Sequence, residues 1–411
     1  DNDDLFFDYT PDELGIDPVP SKEDSLQRVD EMATFRRLAT WLYEQRRLSV
    51  DGRAPTAEAI ATLSDWEGSP WGLEGEAGEL LDIIDPIVEE AEFRPWPSEG
   101  IAPLADWARE NQRPLDLLVA ASRRPRYYSP QPQSLDDVQL ILTEMQFPLL
   151  GASREAAQAL STRAMWHLHE GRPEEAWQDI IALYRLARLL GNGQTLIEIL
   201  FGTAVDGIAH RACRAFLGSG DLTAEQARRA ERDLTALPNL GSIANAMNGG
   251  ERVFYLDTII HLLVEGERGT LMEEAGISPN FATVLKLVNI DWNFVLSDSN
   301  RLYDRAAAAA ELPTRTARQT AFAELNAEKK RRTNARQRTP AIAWALISRR
   351  GRGEFIANFL AVYLIPSVEN VQNIVDLANA NLELMRLAAA LSVFRAENGH
   401  YPETLDDLVP R

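Results

Sequence analysis

Apolar positions recur at helical spacing along most of this 411-residue chain, most densely between Trp166 and Arg214. Ile180, Ile181, Leu183, Tyr184, Ala187, Leu189 and Leu190 cover more than half the surface of one predicted helix, so its neighbours must wrap it from several sides. That helix is predicted to stop at Gly191-Asn192-Gly193, residues that accept the left-handed conformation a helix stop requires. A second helix follows over Thr195–Leu217, opening with Leu196, Ile197, Ile199, Leu200 and Phe201. Two long apolar helices joined by so short a loop pack antiparallel.

The rest of the pattern wraps this pair. Helices are expected over 25–48 (stripe Val29, Met32, Phe35, Leu38, Leu42), 54–63, 76–92 and 103–122, the last interrupted at Pro114. A Trp/Gly/Pro-rich turn spans Trp66–Gly72, and the proline-broken 123–132 reads as a surface loop. Beyond Ser134 helices are expected at 152–170, 223–237, 243–264, 281–288, 292–312 and 316–332, with Phe355–Ile365 a core helix. The last long helix, 367–396, is lined by Val371, Ile374, Leu377, Leu382, Leu384, Leu387, Leu391 and Phe394. It stops at Glu397-Asn398-Gly399, after which Thr404 caps a short helix whose Leu405 and Leu408 are expected to fold back. Strand-like alternation is absent almost everywhere. The expectation is an all-α protein of antiparallel hairpins, stacked as a bundle or short solenoid. Its parts are an acidic extended arm (1–24), a helical lobe (25–133), a central core (134–366) and a long C-terminal helix with its turn (367–411).

Composition narrows function more than fold. A formal charge of −20, from 62 acidic against 42 basic residues, excludes nucleic acid as the default partner. The basic cluster Lys329–Arg338, with Arg349, Arg350 and Arg352, lacks interleaved aromatics; it is expected to pair with acidic groups of its own chain or to lie solvated. The single Cys213 sits in a helical apolar pattern and reads as a buried, inert thiol. No stretch of about 18 uninterrupted apolar residues predicts a membrane span. The chain begins at Asp1 in an acidic run, and the expectation is that a segment was removed upstream. Within that run Leu5, Phe6, Phe7 and Tyr9 are candidate partner-binding residues, able to dock the arm onto a groove of a neighbouring copy.

Candidate chemistry is sparse. Asp206 and His210 stand four apart on the second central helix and so face one another, with Glu198 two turns earlier. A carboxylate beside a histidine is the minimum for general acid–base work or a ligand pair, and it equally describes a bond fastening two helices. Asp257, His261 and Glu265 form a second line at four-residue spacing, a candidate metal face without the paired Glu-x-x-His of di-iron bundles. His167 and His169, two apart, point away from each other. Trp66, Trp71 and Trp96, beside Gly and Pro, are candidate groove-lining residues whose commoner role is to anchor a core. No sequence motif implies a cofactor.

Three resemblances add to this reading. Gly171, Glu174-Glu175-Ala176 and Asp179 resemble one tetratricopeptide-type hairpin near 152–190, without a second copy at that period. Leu387–Pro410, with Gly399-His400-Tyr401-Pro402, resembles the helix-to-globule junction of type II secretion major pseudopilins. Tyr184–Gly191, Thr195-Leu196-Ile197-Glu198 and the same tail together resemble a group of planctomycete-type α-helical envelope proteins. That last resemblance implies an extracytoplasmic domain attached through an N-terminal membrane anchor, and it assigns no catalytic residue. The expected function is a non-enzymatic envelope scaffold or interaction module with a protein partner or a homo-oligomeric state. The alternatives are a metal-dependent or hydrolase-like enzyme using Glu198, Asp206 and His210, and a secretion-filament-associated component.

Overall fold

The computed structural model describes residues 32–45, 75–128, 148–264, 289–336, 347–363 and 368–409, with a few isolated positions besides. It is helical throughout these residues, with no strand among them. The helices are α1 (Met32–Glu44), α2 (Gly75–Ala91), α3 (Ala102–Glu110), α4 (Gln112–Ala121), α5 (Pro148–His169), α6 (Pro173–Gly191) and α7 (Leu196–Gly218). They continue with α8 (Ala224–Thr235), α9 (Ile243–Asn248), α10 (Gly250–Val264), α11 (Trp292–Ala310), α12 (Arg315–Arg336), α13 (Arg349–Tyr363) and α14 (Val368–Asn398). The acidic arm with Leu5, Phe6, Phe7 and Tyr9, the Trp66–Gly72 turn and the helix expected at 281–288 lie outside the described residues.

The α6–α7 hairpin is the pair the pattern predicted, and its ends explain why it forms. Pro173 sits in the first turn of α6, where a missing N–H costs nothing, and Glu174 and Glu175 meet the positive end of the helix dipole. Thr195 caps α7 in a reciprocal box: its hydroxyl accepts from Glu198 N (3.2 Å), and Glu198 Oε2 accepts from Thr195 N (3.0 Å). Glu251, at the start of α10, accepts from Leu196 N at 2.8 Å, so a third element satisfies the same helix end. Ile180, Leu183, Tyr184 and Ala187 of α6 and Ile199, Val205, Ala209 and Ala212 of α7 are fully enclosed, whereas Ile197 faces outward.

A small residue sets how closely the two helices cross. A Cβ placed on Gly202 would lie 2.6 Å from Gly191 N and 2.7 Å from Ala187 O, so only glycine lets the backbones approach this far. The segment at Leu240–Gly241 then passes over the same corner, where a Cβ on Gly241 would collide with the Gly191 carbonyl.

Around the pair, α5 packs on both α6 and α7, and α14 lies across α7 and α8. The helices α11, α12 and α13 pack on one another, and α9 joins them to α7 and α14. One contiguous apolar core runs from Phe35 to Ala389. Arg386 of α14 closes the end of α8 by donating to the carbonyls of Leu234 (3.1 Å) and Leu237 (2.7 Å).

Three details depart from the sequence expectation. The break expected at Pro114 falls at Asn111, because Pro114 occupies the first turn of α4, where its missing N–H is harmless. The single helix expected over 243–264 is two, divided at Gly249, and Gly250 N donates to Gln194 O at 3.0 Å. The tail turn forms, with Gly399 at φ 78° and a short 3-10 helix over Leu405–Leu408, but Leu405 points to solvent.

The crossing supplies a test. Gly202→Ala is expected to lower stability by about 1–3 kcal/mol, since the added methyl meets backbone that cannot step aside. Gly207→Ala, on the open side of the same helix, is expected to raise it by up to about 1 kcal/mol. Thermal melts of the two variants beside wild type check the contrast.

Candidate functional site

Asp206 and His210 do come together on α7, with Asp206 fully enclosed and His210 nearly so. Their surroundings define what they can do. His210 Nδ1 lies 2.6 Å from the Asp206 carbonyl oxygen and 3.2 Å from Oδ2, so the proton sits on Nδ1 and is held by α7's own backbone. Asp206 Oδ1 accepts from Arg188 Nη1, which reaches across from α6. The same guanidinium donates from Nε to the Pro238 carbonyl at 3.1 Å and lies over the Tyr184 ring, 5.3 Å from its centre. The edge of Tyr184 in turn meets His210, with ring centres 5.2 Å apart. Cys213 completes the group; burial pushes its thiol up to about 12, which makes it a poor nucleophile.

This is a desolvated ion pair that joins α6 to α7. A general base must come within hydrogen-bond reach of a substrate proton. Here the carboxylate lies between two packed helices with no exposed surface. Three buried polar atoms in the group have no hydrogen-bond partner among the described residues, Arg188 Nη2, Asp206 Oδ2 and His210 Nε2, while the Tyr184 hydroxyl meets the Cys213 thiol. Such a concentration marks a polar knot in an otherwise apolar interface. Glu198 does not join it, because its carboxylate is engaged in the Thr195 capping box two turns away.

Asp257 lies half-buried on α10, while the His261 side chain and all of Glu265 fall outside the described residues. Among the described residues no three His, Cys, Asp or Glu side chains gather as a metal would require. His167 is buried and His169 exposed, so the two diverge. Trp96 is a core residue, donating to the Thr162 carbonyl at 3.2 Å and stacking on Trp166. The basic cluster is partly internal: Arg332 pairs with Asp298 and Glu328, and Arg305 also reaches Glu328.

Two buried networks carry no periodic signal in the sequence. Arg163 of α5 grips Asp179 of α6 with two hydrogen bonds (2.9 and 2.7 Å) and reaches Asp116 of α4 (2.8 Å), tying three helices. Glu92, just past α2, is enclosed with Gln158 Nε2 3.0 Å from Oε1. Only a lone charged residue inside an apolar stretch of helix, such as Arg163 between Leu160 and Met165, hints at such pairs.

No protein family, curated protein or solved structure matches this chain.

Two buried groups make stability depend on pH in opposite directions. Burial raises Glu92 from 4.5 to about 7 against the pull of Arg211, so the stability it contributes is full below 4.5 and lost as pH rises through about 7. Burial, helped by Arg172 and Arg163, lowers His167 from 6.5 to about 3, so its contribution is full above 6.5 and lost as pH falls through about 3. Glu92→Gln is therefore expected to gain on wild type as pH rises, and His167→Leu to lose less on acidification, in melting temperatures followed across this range. In the central knot, Asp206→Ala is expected to cost about 3–5 kcal/mol by stranding the Arg188 charge, read by denaturant unfolding.

Proposed function

We propose that this chain is a non-enzymatic interaction module, a helical scaffold that engages protein rather than transforming a small molecule. The observation that carries the reading is the outward side of α14. Ile374, Leu377 and Leu384 stand exposed along it, while the adjoining side of the same helix is fixed in the core by Val371, Val375, Ala378 and Leu382. Large apolar side chains aligned along one exposed strip of a helix mark a contact surface. The burial of Asp206 and the capping role of Glu198 support the same reading, since both have structural work that leaves no open catalytic surface. We assign the module to the cell envelope, on the extracytoplasmic side, and this rests on the resemblance at Tyr184–Gly191, Thr195–Glu198 and Gly399–Pro402. The α5–α6 hairpin, turning at Gly171 with φ 71°, supports a tetratricopeptide-like element within the stack.

Native mass spectrometry of the purified chain tests the proposal, reading bound ions and copy number together. The expected spectrum has no stoichiometric metal. A divalent ion present at one per chain and lost in Asp206→Ala would overturn the proposal in favour of a metal-dependent enzyme.

A further inference from the structure

α14 carries a second periodicity, seven residues long, on its outward side. Ile374, Asn381 and Ala388 recur at one heptad position, and Leu377, Leu384 and Leu391 at the position three residues on, over three heptads. The residues fixed in the core (Val371 and Ala378, then Val375, Leu382 and Ala389) occupy the two heptad positions next round from the first, so the seam adjoins the core contact and meets it at Ala388. We propose that this seam pairs in parallel and in register with the α14 of a second copy of the chain, forming a two-stranded coiled coil. The proposal deepens the interaction reading above and rests on it.

Three observations select this occupant. First, the seam is self-complementary. A β-branched residue at the first position with leucine at the second favours two strands, and an asparagine at the first meets its own copy across the axis only when the strands run parallel in register. The Asn381 amide makes no hydrogen bond within the chain among the described residues, so it is free to pair with its equivalent. Second, the charge pattern permits it. From 374 to 394 the seam and the positions flanking it (Ala378, Met385 and Ser392 on one side; Ala380, Leu387 and Phe394 on the other) hold no charged residue. The acids Asp376 and Glu383 lie beyond those flanks, where the like charges of two copies stay apart. Third, the open area is large. Ile374 (43 % exposed), Leu377 (63 %) and Leu384 (57 %) are continued at the helix end by Arg395, which donates to Tyr401 Oη (3.2 Å) and carries the strip to Tyr401 (51 %) and Leu405 (56 %). These five leave on the order of 500 Å² of apolar surface open, at the upper end of the largest patch an ordinary monomer shows.

Sedimentation or light-scattering mass measurement on the whole chain tests the pairing. The expected mass is that of a dimer, and Leu377→Asp with Leu384→Asp is expected to give a monomer of unchanged helix content. Single cysteines report the geometry without refolding risk at a charged site, because Cys213 is enclosed and unreactive. Leu377→Cys and Leu391→Cys are each expected to form an interchain disulfide alone under mild oxidation. Crosslinking only when the two variants are mixed would show antiparallel pairing and overturn the register. A monomeric wild-type chain would overturn the pairing altogether, and an apolar fluorescent dye then separates the two readings. Dye binding abolished by the Asp pair shows a face open to a different protein, so the interaction module survives; no dye binding shows a covered face, and both readings fail.

Discussion

The approach of α6 to α7 is the constraint on which the other helices depend. Gly202 against Gly191 and Ala187 brings the two backbones into direct contact, closer than any side chain at 202 would allow. In a close-packed interior that spacing propagates, because each neighbouring helix seats in the grooves left by the first two. The Leu240–Gly241 segment crossing the same corner has no alternative path, since any side chain at Gly241 would enter the Gly191 carbonyl. Arg188 then fixes the register of the pair along its length by bonding both Asp206 on α7 and the Pro238 carbonyl beyond α8.

That register lock is expensive in the usual way of buried ion pairs. Two charges lose their hydration, and their attraction repays it only if the remaining polar atoms find partners. Here several do not, so the knot contributes less to net stability than to uniqueness: a hairpin slipped by one turn would leave both charges stranded. Arg163, held by Asp179 and Asp116, plays the equivalent part between α4, α5 and α6. The fold is driven by apolar burial and aligned by a few internal charges.

The apolar part of this arrangement was legible in the sequence, because a helical stripe is local information. The α6–α7 hairpin, its Gly191 stop, the Thr195 cap and the long final helix could all be read from spacing. The errors have local causes as well. Pro114 looked like a break when it was a helix start, and Gly249 looked like an interior residue when it divided two helices. A helix-fastening bond was one sequence reading of the candidate site, but the partner that makes it was not legible. Asp206 and His210 were placed together by their four-residue spacing, but Arg188 lies on a different helix, and its partnership converts a possible acid–base pair into a structural clamp. The Arg163–Asp179 pair was missed for the same reason, and Arg332, expected to pair within its own chain, could not be matched to Asp298 in advance: a charge pair between helices leaves no period in either one.

α14 shows where that local logic reaches the molecular surface. Its 31 residues make a rod about 46 Å long. The chain covers one side of it with α7 and α8 and leaves the other apolar. An outward surface selected only for solubility would carry charges there, as the exposed side of α8 does at Glu225, Arg228, Arg229 and Arg232. Instead Glu383 and Glu397 stand together on one side beyond the strip's flank, Arg386 is turned inward to the end of α8, and the strip runs uncharged until Arg395 at its C-terminal end. Keeping repulsive groups off one face while the molecule as a whole repels its neighbours is the arrangement of a specific contact. Long-range charge discourages casual association, and only a partner that matches the uncharged strip closely gains enough burial to overcome it.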